Sequence, residues 1–369
     1  MPTRPPFTKI VNSLPALTPF IGPEAMERAR GRSFQARLGA NESLFGPSPK
    51  ALAAMREAAN GNWMYADPES FDLRQAVAAH HAIARESVVV GEGIDGLLGL
   101  TCALFLEPGD HVVSTDGAYP TFNFHVLGHG GRLTLAPMRR DHEDLDALTE
   151  LARSSRAKII YVSNPNSPMG TWHDAETLSV WIAQLPEGVL LILDEAYCDT
   201  APWGTAPTID IANSQVLRYR TFSKAYGLAG ARIGYAIGHP ETIAAFEKVR
   251  NHYGINRVGQ IGALAALADQ DYLSTATANI AQARNRIADI ASANGLVAIG
   301  SAASFVAIDC GADGAFATRV LQGLIDQDVF VRKPLAASID RCIRVSCGRD
   351  QDLDVFAEVL PLALAAARN

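Results

Sequence analysis

The sequence of 369 residues has few charged residues and no long apolar run. Charged residues make up 19% of the chain and hydrophobic residues 48%, whereas about 25% of the residues in ordinary soluble domains are charged. The net charge of −7 argues against a nucleic-acid partner or an anionic membrane surface, because both require a basic face. This composition indicates an ordered protein with a large core.

Membrane-spanning, secreted and metal-binding proteins are also disfavoured. The longest apolar stretch, Leu97–Leu106, contains Gly99 and Thr101 and is shorter than the roughly 20 residues that span a bilayer. The opening residues MPTRPPFTKI lack the apolar core of a signal peptide. The five cysteines include no CxxC pair, and an odd number in a long chain is typical of a reduced, cytoplasmic protein. No HExxH sequence occurs, so we predict no metal site.

Strand-like apolar runs alternate with helical segments over most of the chain. The runs KIIYV and VLLIL are apolar on both faces, like parallel strands covered by helices. This alternation predicts an α/β protein with a doubly wound, mostly parallel sheet. After about residue 240, long helices and short strands predict a smaller α+β unit. We expect a Pro-rich arm over 1–40 that packs with the small domain, a large domain over 41–250 and the small domain over 251–369.

One glycine motif fits a dinucleotide site. Gly91, Gly93 and Gly96 form a GxGxxG pattern between an apolar strand and a helix, and Asp116 ends the next strand. These features would hold NAD in a dinucleotide fold, so an NAD-dependent oxidoreductase is one alternative. A denser group of motifs later in the chain needs a different cofactor. The glycine motif therefore predicts a phosphate site at a helix N-terminus.

Three polar segments follow predicted strands: NPNSPMG from Asn164, DEAY from Asp194, and TFSK ending at Lys224. Ligands gather at the carboxyl ends of strands in doubly wound sheets, so the segments can meet over one pocket. They stand in one order with PFIGPE, ANESLFGPSP, YADPES, GEGIDG, GAYPTF, GLAGARIG, RNHYGINRVGQ and CIRVSCG. With these motifs the chain resembles the fold-type I pyridoxal-phosphate enzymes, within the class I and II aminotransferases, and is most similar to the histidinol-phosphate aminotransferase branch.

The resemblance implies a pyridoxal-phosphate-dependent aminotransferase with three catalytic side chains. Lys224 is expected to form a Schiff base with the cofactor aldehyde and then to move a proton. Asp194 is expected to keep the ring nitrogen protonated, as the electron-sink chemistry requires. Tyr197 is expected to donate to the phenolic oxygen of the ring. The second donor to that oxygen is Asn166 in the register that we favour, and Ser167 in the alternative register.

The cofactor phosphate needs several donors. The resemblance implies the backbone amides of Gly93, Ile94 and Asp95, the hydroxyls of Thr221 and Ser223, and the guanidinium of Arg232. Tyr119 is expected to stack on the pyridine ring. Tyr65 resembles a tyrosine that reaches the cofactor phosphate of the neighbouring subunit, which implies a homodimer with shared active sites.

Substrate binding is expected at three positions. Arg344 matches the arginine that grips an α-carboxylate, Asn41 resembles a residue close to that group, and Arg332 matches an arginine for the distal end of the substrate. Phe20 stands where the histidinol-phosphate branch has a tyrosine, and Ile94 also departs from its pattern.

The choice of reaction and substrate has several alternatives at this point. The amino donor is histidinol phosphate or another amino acid, aromatic ones included, and the acceptor is a 2-oxo acid. A pyridoxal-phosphate-dependent decarboxylase or lyase of the same fold is the nearest alternative reaction. A regulator that binds the cofactor without turnover is a further alternative.

Overall fold

The computed structural model describes residues 4–15 and 21–368, so Phe20 lies outside the described residues. Their strands are β1 (Ala36–Arg37), β2 (Val88–Gly91), β3 (His111–Thr115), β4 (Arg132–Ala136), β5 (Ile159–Ser163), β6 (Leu190–Asp194), β7 (Val216–Thr221), β8 (Gly234–Ile237), β9 (Val297–Ala298), β10 (Phe305–Asp309), β11 (Val329–Phe330) and β12 (Cys342–Ser346). Their α-helices are α1 (Lys9–Ser13), α2 (Pro23–Arg30), α3 (Pro49–Ala59), α4 (Phe71–His81), α5 (Gly93–Phe105), α6 (Pro120–Gly128), α7 (Leu145–Ser155), α8 (Ala175–Ile182), α9 (Pro240–Phe246), α10 (Arg257–Ala268), α11 (Gln270–Ala293), α12 (Gly314–Asp326) and α13 (Asp350–Arg368).

Seven strands form the central sheet in the order β2-β8-β7-β6-β5-β3-β4. The strands β4, β3, β5, β6 and β7 run parallel, and β8 is antiparallel to both of its neighbours. The predicted doubly wound, mostly parallel sheet is therefore confirmed. Because parallel strands end at one edge, Ser163 at the end of β5 lies in register with Asp194 at the end of β6.

Both faces of this sheet are covered by helices. On β5, Ile159 and Tyr161 belong to a core that includes buried residues of α5 and α6. Ile160 and Val162 alternate with them and belong to a second core with α7 and α8. A strand that is buried on both faces is apolar almost throughout, which explains the run KIIYV.

A smaller unit is built around the antiparallel sheet β12-β10-β9. Its core contains residues of α11, α12 and α13, together with Ala36 and Leu38 from the N-terminal part of the chain. Strand β1 pairs in parallel with β11, and Arg30 forms an ion pair with Asp328. Helix α10, by contrast, packs against α3 and α4 beside the central sheet.

The N-terminal residues contain more regular structure than their proline content predicts. Helix α2 begins at Pro23, and Gly31 ends it in the left-handed conformation with φ of 71°. A proline in the first helical turn is tolerated because that position needs no N–H donor. Among the described residues, no helix has both the length and the apolar character needed to cross a bilayer.

Candidate active site

A cavity of about 260 Å³ lies where the strands of the central sheet end. Ser163, Asp194 and Thr221, the last residues of β5, β6 and β7, line it. The other lining residues are Ala40, Glu42, Ile94, Asp95, Tyr119, Ser167, Ala196, Tyr197, Ser223, Lys224, Ala229 and Arg232. The three polar segments of the sequence therefore meet at one cavity.

Asn41 links Lys224 to the rest of the site. Its backbone carbonyl accepts a hydrogen bond from Lys224 Nζ at 3.1 Å, and its Nδ2 donates to the Tyr197 hydroxyl at 3.0 Å. Its backbone N–H donates to Ser346 Oγ at 3.0 Å, and that hydroxyl donates back to Asn41 Oδ1 at 3.1 Å. The φ of Asn41 is 55°, in a region that asparagine adopts more readily than most residues. Asn41 thus joins the lysine and the tyrosine to the end of β12.

Asp194 is a buried carboxylate, and none of the ion pairs among the described residues includes it. The Tyr161 hydroxyl donates to Oδ2 at 2.7 Å and the Ala196 N–H donates to Oδ1 at 2.9 Å. Burial raises the pKa of Asp194 despite these bonds and the positive charge of Lys224. A cation bound in the cavity would stabilise the ionised carboxylate and so offset the effect of burial on this pKa, and a protonated ring nitrogen is such a cation.

An anion cradle lies around the N-terminus of α5. Gly93 begins this helix with φ of 76°, and a Cβ there would lie 2.6 Å from a guanidinium nitrogen of Arg232. Arg232 Nη1 lies 3.5 Å from Ser223 Oγ, and no ion pair of the described residues includes Arg232. The Asp95 carboxylate lies 3.2 Å from His125 Nε2, so its side chain has a partner outside the cradle. Free helix amides, hydroxyls and a guanidinium together suit a phosphate.

The NPNSPMG loop corrects one sequence-based preference. Ser167 lines the cavity, whereas Asn166 does not. The buried Asn166 side chain donates from Nδ2 to Glu143 Oε1 at 2.7 Å and accepts from the Met169 N–H at 3.0 Å. Because those contacts hold the amide inside the loop, the preference for Asn166 at the cavity is wrong, and the alternative register with Ser167 fits the geometry.

The two arginines predicted to bind substrate both lie on the smaller unit, and neither lines the cavity. The backbones of Arg332 and Arg344 form an antiparallel bridge, and neither side chain joins an ion pair of the described residues. Burial lowers the pKa of Arg344 to about 10 and also lowers that of Arg332. Arg344 Nε is buried without a hydrogen-bond partner. The Arg344 guanidinium carbon lies 5.2 Å from the centre of the Phe305 ring, which packs edge-on against Tyr197. Arg332 donates to the Ile21 carbonyl at 2.5 Å and Arg344 donates to the Gly39 carbonyl at 3.3 Å. Two half-buried guanidinium groups without an acidic partner among the described residues favour an anionic ligand.

Other sequence-based candidates have distinct positions. Tyr119 lines the cavity at the start of α6, and burial raises its pKa to about 12, so its phenol is protonated at neutral pH. Tyr65 is 79% exposed, lies outside the cavity and packs against Tyr253 with ring centres 4.8 Å apart. Sequence reasoning missed Tyr161, although a tyrosine hydroxyl within an apolar strand is a usable signal. It also missed Glu143, which no motif contains.

The side chains fit the cofactor that the sequence predicts. A lysine, a buried carboxylate without a cationic partner and an anion cradle surround one cavity, and these are the groups that an aldehyde, a ring nitrogen and a phosphate require. The described residues contain no group of three or more His, Cys, Asp or Glu side chains that could hold a metal ion.

Comparison with known proteins agrees with this site. Residues 35–360 match the family described as "Aminotransferase class I and II". A curated histidinol-phosphate aminotransferase from an Anaeromyxobacter species is 34% identical over 94% of this chain and 95% of its own length. A crystal structure of histidinol-phosphate aminotransferase from Sinorhizobium meliloti in complex with pyridoxal-5'-phosphate has a TM-score of 0.96 and 48% identity, and covers 99% of both chains.

These matches confirm the predicted family, and the NAD-dependent and decarboxylase alternatives are not favoured. The cofactor prediction is confirmed with it, since the family depends on pyridoxal phosphate. The chain belongs to the class I and II aminotransferases, and it is a pyridoxal-phosphate-dependent enzyme of that family.

Proposed function

We propose that this aminotransferase uses L-histidinol phosphate as its amino donor and a 2-oxo acid as its acceptor, in a ping-pong cycle. Arg332 and Arg344 support this substrate class, because their backbones pair and neither guanidinium forms an ion pair with a described residue. The Anaeromyxobacter and Sinorhizobium relatives, both named histidinol-phosphate aminotransferase, support it independently.

A ping-pong enzyme must accept both substrates at one site, and their anionic groups differ in position. A 2-oxo acid carries a carboxylate next to the reacting carbon, and we assign it to Arg344. Histidinol phosphate carries its phosphate on the hydroxymethyl group next to the amine-bearing carbon. This phosphate extends farther from the reacting carbon than a carboxylate does, and we assign it to Arg332, whose planar guanidinium can bind it through paired hydrogen bonds. Two adjacent guanidinium groups can therefore serve two differently placed anions.

The cofactor, when bound, supplies an electron sink for the bonds at the substrate α-carbon. We assign its ring nitrogen to Asp194 and its phenolic oxygen to Tyr197 and Ser167. The phosphate is assigned to the amides of Gly93, Ile94 and Asp95, the hydroxyls of Thr221 and Ser223, and Arg232. Tyr119, which lines the cavity, would pack against the face of the ring.

Lys224 is the base in this assignment. Its amine is held 3.1 Å from the Asn41 carbonyl, which can orient the Nζ hydrogens and leave the lone pair directed elsewhere. Asn41 also fixes the Tyr197 hydroxyl, so one residue positions both the base and a cofactor donor. With cofactor and substrate bound, Lys224 Nζ would accept the α-proton of the substrate and then donate it to the cofactor carbon that holds the transferred nitrogen.

We propose a homodimer in which Tyr65 completes the site of the partner subunit. Trp63 and Tyr65 are 83% and 79% exposed, and Tyr253 packs against Tyr65, so an aromatic patch lies outside the cavity of its own chain. Exposed patches of this kind favour burial against a protein partner. We also propose two domains. Because α10 packs beside the central sheet, we place their boundary after Ala268 and not after residue 250, where the sequence pattern puts it. Cytoplasmic location stays a prediction from the cysteine content.

Two substrates that differ only in the phosphate test the proposed amino donor. We expect histidinol phosphate to support turnover with a kcat/KM about 100-fold above that of histidinol, which lacks only the phosphate. Arg332→Gln should reduce this ratio because the phosphate loses its cationic partner. Turnover with aromatic amino acids but not with histidinol phosphate would overturn the donor assignment while leaving the aminotransferase family intact.

Mixed dimers test the shared site. Lys224→Ala and Tyr65→Ala chains, each weakly active or inactive alone, are unfolded together and refolded as hybrids. Each hybrid then contains one site with both Lys224 and Tyr65, so activity should return. Hybrids without added activity, despite a dimer peak in light scattering, would contradict the proposed role of Tyr65.

A further inference from the structure

The connection between β4 and α7 carries two acidic side chains that contact opposite sides of the active site. Asp141 Oδ1 and Oδ2 accept hydrogen bonds from Arg341 Nη2 at 2.9 and 2.8 Å. Arg341 Nε also donates to Asp309 Oδ2 at 2.6 Å. Arg341 immediately precedes β12, the strand that carries Arg344. Asp141 thus joins the connection after β4 of the central sheet to β12, the strand that carries Arg344.

Glu143 contacts residues on the side of the active site that is assigned to the cofactor. Its carboxylate is 3% exposed and accepts hydrogen bonds from Asn166 Nδ2 at 2.7 Å, Thr115 Oγ1 at 3.2 Å, and the N–H and hydroxyl of Ser163 at 3.2 and 3.1 Å. No ion pair of the described residues includes Glu143. The carboxylate therefore has hydrogen-bond donors around it and no cation.

A short relay connects Glu143 to the cavity wall. The Ser163 hydroxyl donates to Glu143 and accepts from the Ser167 N–H at 3.2 Å. Both serines line the cavity. A carboxylate that fixes the direction of the Ser163 proton leaves a lone pair of that oxygen for Ser167, so the loop is held from two points, Ser163 and Asn166.

We propose that Asp141 and Glu143 are positioning residues: Glu143 sets the loop that presents Ser167 to the cofactor, and Asp141 sets, through Arg341, the strand that presents Arg344 to the substrate. This inference rests on the proposed assignment of Ser167 and Arg344. Two further contacts hold the connection in place: the Thr171 hydroxyl donates to the Asp141 carbonyl at 2.6 Å, and His173 Nε2 lies 2.9 Å from the Glu143 carbonyl.

The charge of Glu143 supports a positioning role over a purely stabilising one. Burial raises its pKa to about 7, even though hydrogen bonds from Asn166 and Ser163 oppose the shift. The carboxylate form is therefore unfavourable in this place. A neutral apolar residue would fill the space without that cost, but it would release the Ser163 hydroxyl and the Asn166 amide.

The first test follows the visible absorbance of bound pyridoxal phosphate as the pH is raised. A donor on the phenolic oxygen stabilises its anionic form, so loss of Ser167 alignment should move the titration midpoint to higher pH. We expect this shift in Glu143→Ala and in Ser163→Ala. Removal of a negative charge alone would move the midpoint to lower pH, so the direction separates positioning from a charge effect. The double variant should shift no further than either single variant, since both break one relay.

The second test examines the Asp141 contact. Asp141→Asn and Arg341→Gln should raise KM for the amino donor severalfold, lower kcat less, and leave the absorbance midpoint unchanged. Arg286→Gln, which breaks ion pairs with Asp350 and Asp354 in the smaller unit, is the matched control and should change neither quantity. Thermal unfolding of every variant shows whether it is folded, and Glu143→Gln, which keeps the shape of the side chain, serves if Glu143→Ala does not fold.

The outcomes separate this inference from the proposed function. Wild-type protein that gives no visible band with pyridoxal phosphate would overturn the cofactor assignments themselves. A normal wild-type titration with unshifted Glu143→Ala and Ser163→Ala midpoints would overturn the role of Glu143 alone. Unchanged KM in folded Asp141→Asn and Arg341→Gln would overturn the role of Asp141.

Discussion

Asp194 and Glu195 are adjacent in the sequence and both buried, yet they belong to two different regions. Glu195 lies in an ionic cluster with Arg218 and Arg220: Arg218 Nη2 lies 2.5 Å from Oε1, and Arg220 Nε lies 3.0 Å from Oε2. Burial alone would raise the pKa of Glu195, but the two guanidinium charges lower it. Asp194 faces the cavity instead, and burial raises its pKa.

The ionic cluster and the cavity differ in what neutralises a buried charge: another residue of the chain or a bound ligand. In the ionic cluster each charge meets an opposite charge of the same chain, as stability requires. Asp194 in the cavity and Arg344 on the smaller unit form no ion pair with a described residue, and both have shifted pKa values. Such groups mark a functional site, because a ligand can complete them.

The largest effect is expected at Lys224. Lys224→Ala should abolish turnover, because the amine that binds the cofactor and moves the proton is removed. After borohydride reduction, mass spectrometry should find the cofactor attached to the wild-type chain and not to the variant. Exposed Lys248 provides a control, and Lys248→Ala should keep both activity and labelling. Substantial turnover in Lys224→Ala would refute the catalytic assignment.

Asp194→Asn tests the cavity side of the comparison. We expect kcat to fall by about 10³-fold, the upper range for loss of one preorganised electrostatic group, because a neutral amide cannot keep a ring nitrogen protonated. The unfolding free energy should not fall, since the variant removes a buried charge that the chain leaves unpaired. Stopped-flow absorbance and denaturant unfolding measure the two quantities. A variant with near-normal kcat would contradict the ring-nitrogen role.

Glu195→Gln tests the ionic-cluster side. Loss of the carboxylate leaves two buried guanidinium groups with a neutral partner, so we expect the free energy of unfolding to fall by about 3–5 kcal/mol. The kcat of the folded fraction should change much less than in Asp194→Asn. If Glu195→Gln lowered kcat strongly without lowering stability, the division between the two regions would be wrong.

The sequence allowed the central sheet and much of the cavity to be predicted. Runs such as KIIYV are apolar because β5 is buried on both faces, and the polar residues that follow such strands must meet at one edge. Family motifs then supplied roles for Lys224, Asp194 and Tyr197. These features are local or follow directly from parallel strand order.

Contacts between distant, motif-free residues could not be predicted. The choice between Asn166 and Ser167 depends on Glu143, which captures the Asn166 amide from a different connection of the chain. The pairing of Arg332 with Arg344 depends on how two segments of the smaller unit meet. Neither contact leaves a local pattern, because backbone periodicity carries no information about which polar side chains will face each other.

The smallest effect concerns the pH dependence of stability at Glu143. Its pKa is raised from 4.5 to about 7 by burial. Below the lower value the group is protonated in both the folded and the unfolded chain. As the pH rises between these values the unfolded chain loses its proton first, so the free energy of unfolding falls, by about 3 kcal/mol at most. Above about pH 7 the loss is complete and stays constant.

Glu143→Gln cannot titrate, so it should not show this loss. The variant's free energy of unfolding, minus that of the wild type, should rise from about pH 5 to about pH 7 and then level off. Asp174→Asn is the matched control: the Thr177 N–H lowers the pKa of this exposed helix cap, so its difference should be flat over the same window. A flat difference for Glu143→Gln would mean that the carboxylate is ionised throughout. If the rise occurs while Glu143→Gln also shifts the cofactor titration, the residue contributes to the active site at the expense of stability, unlike its paired counterpart Glu195.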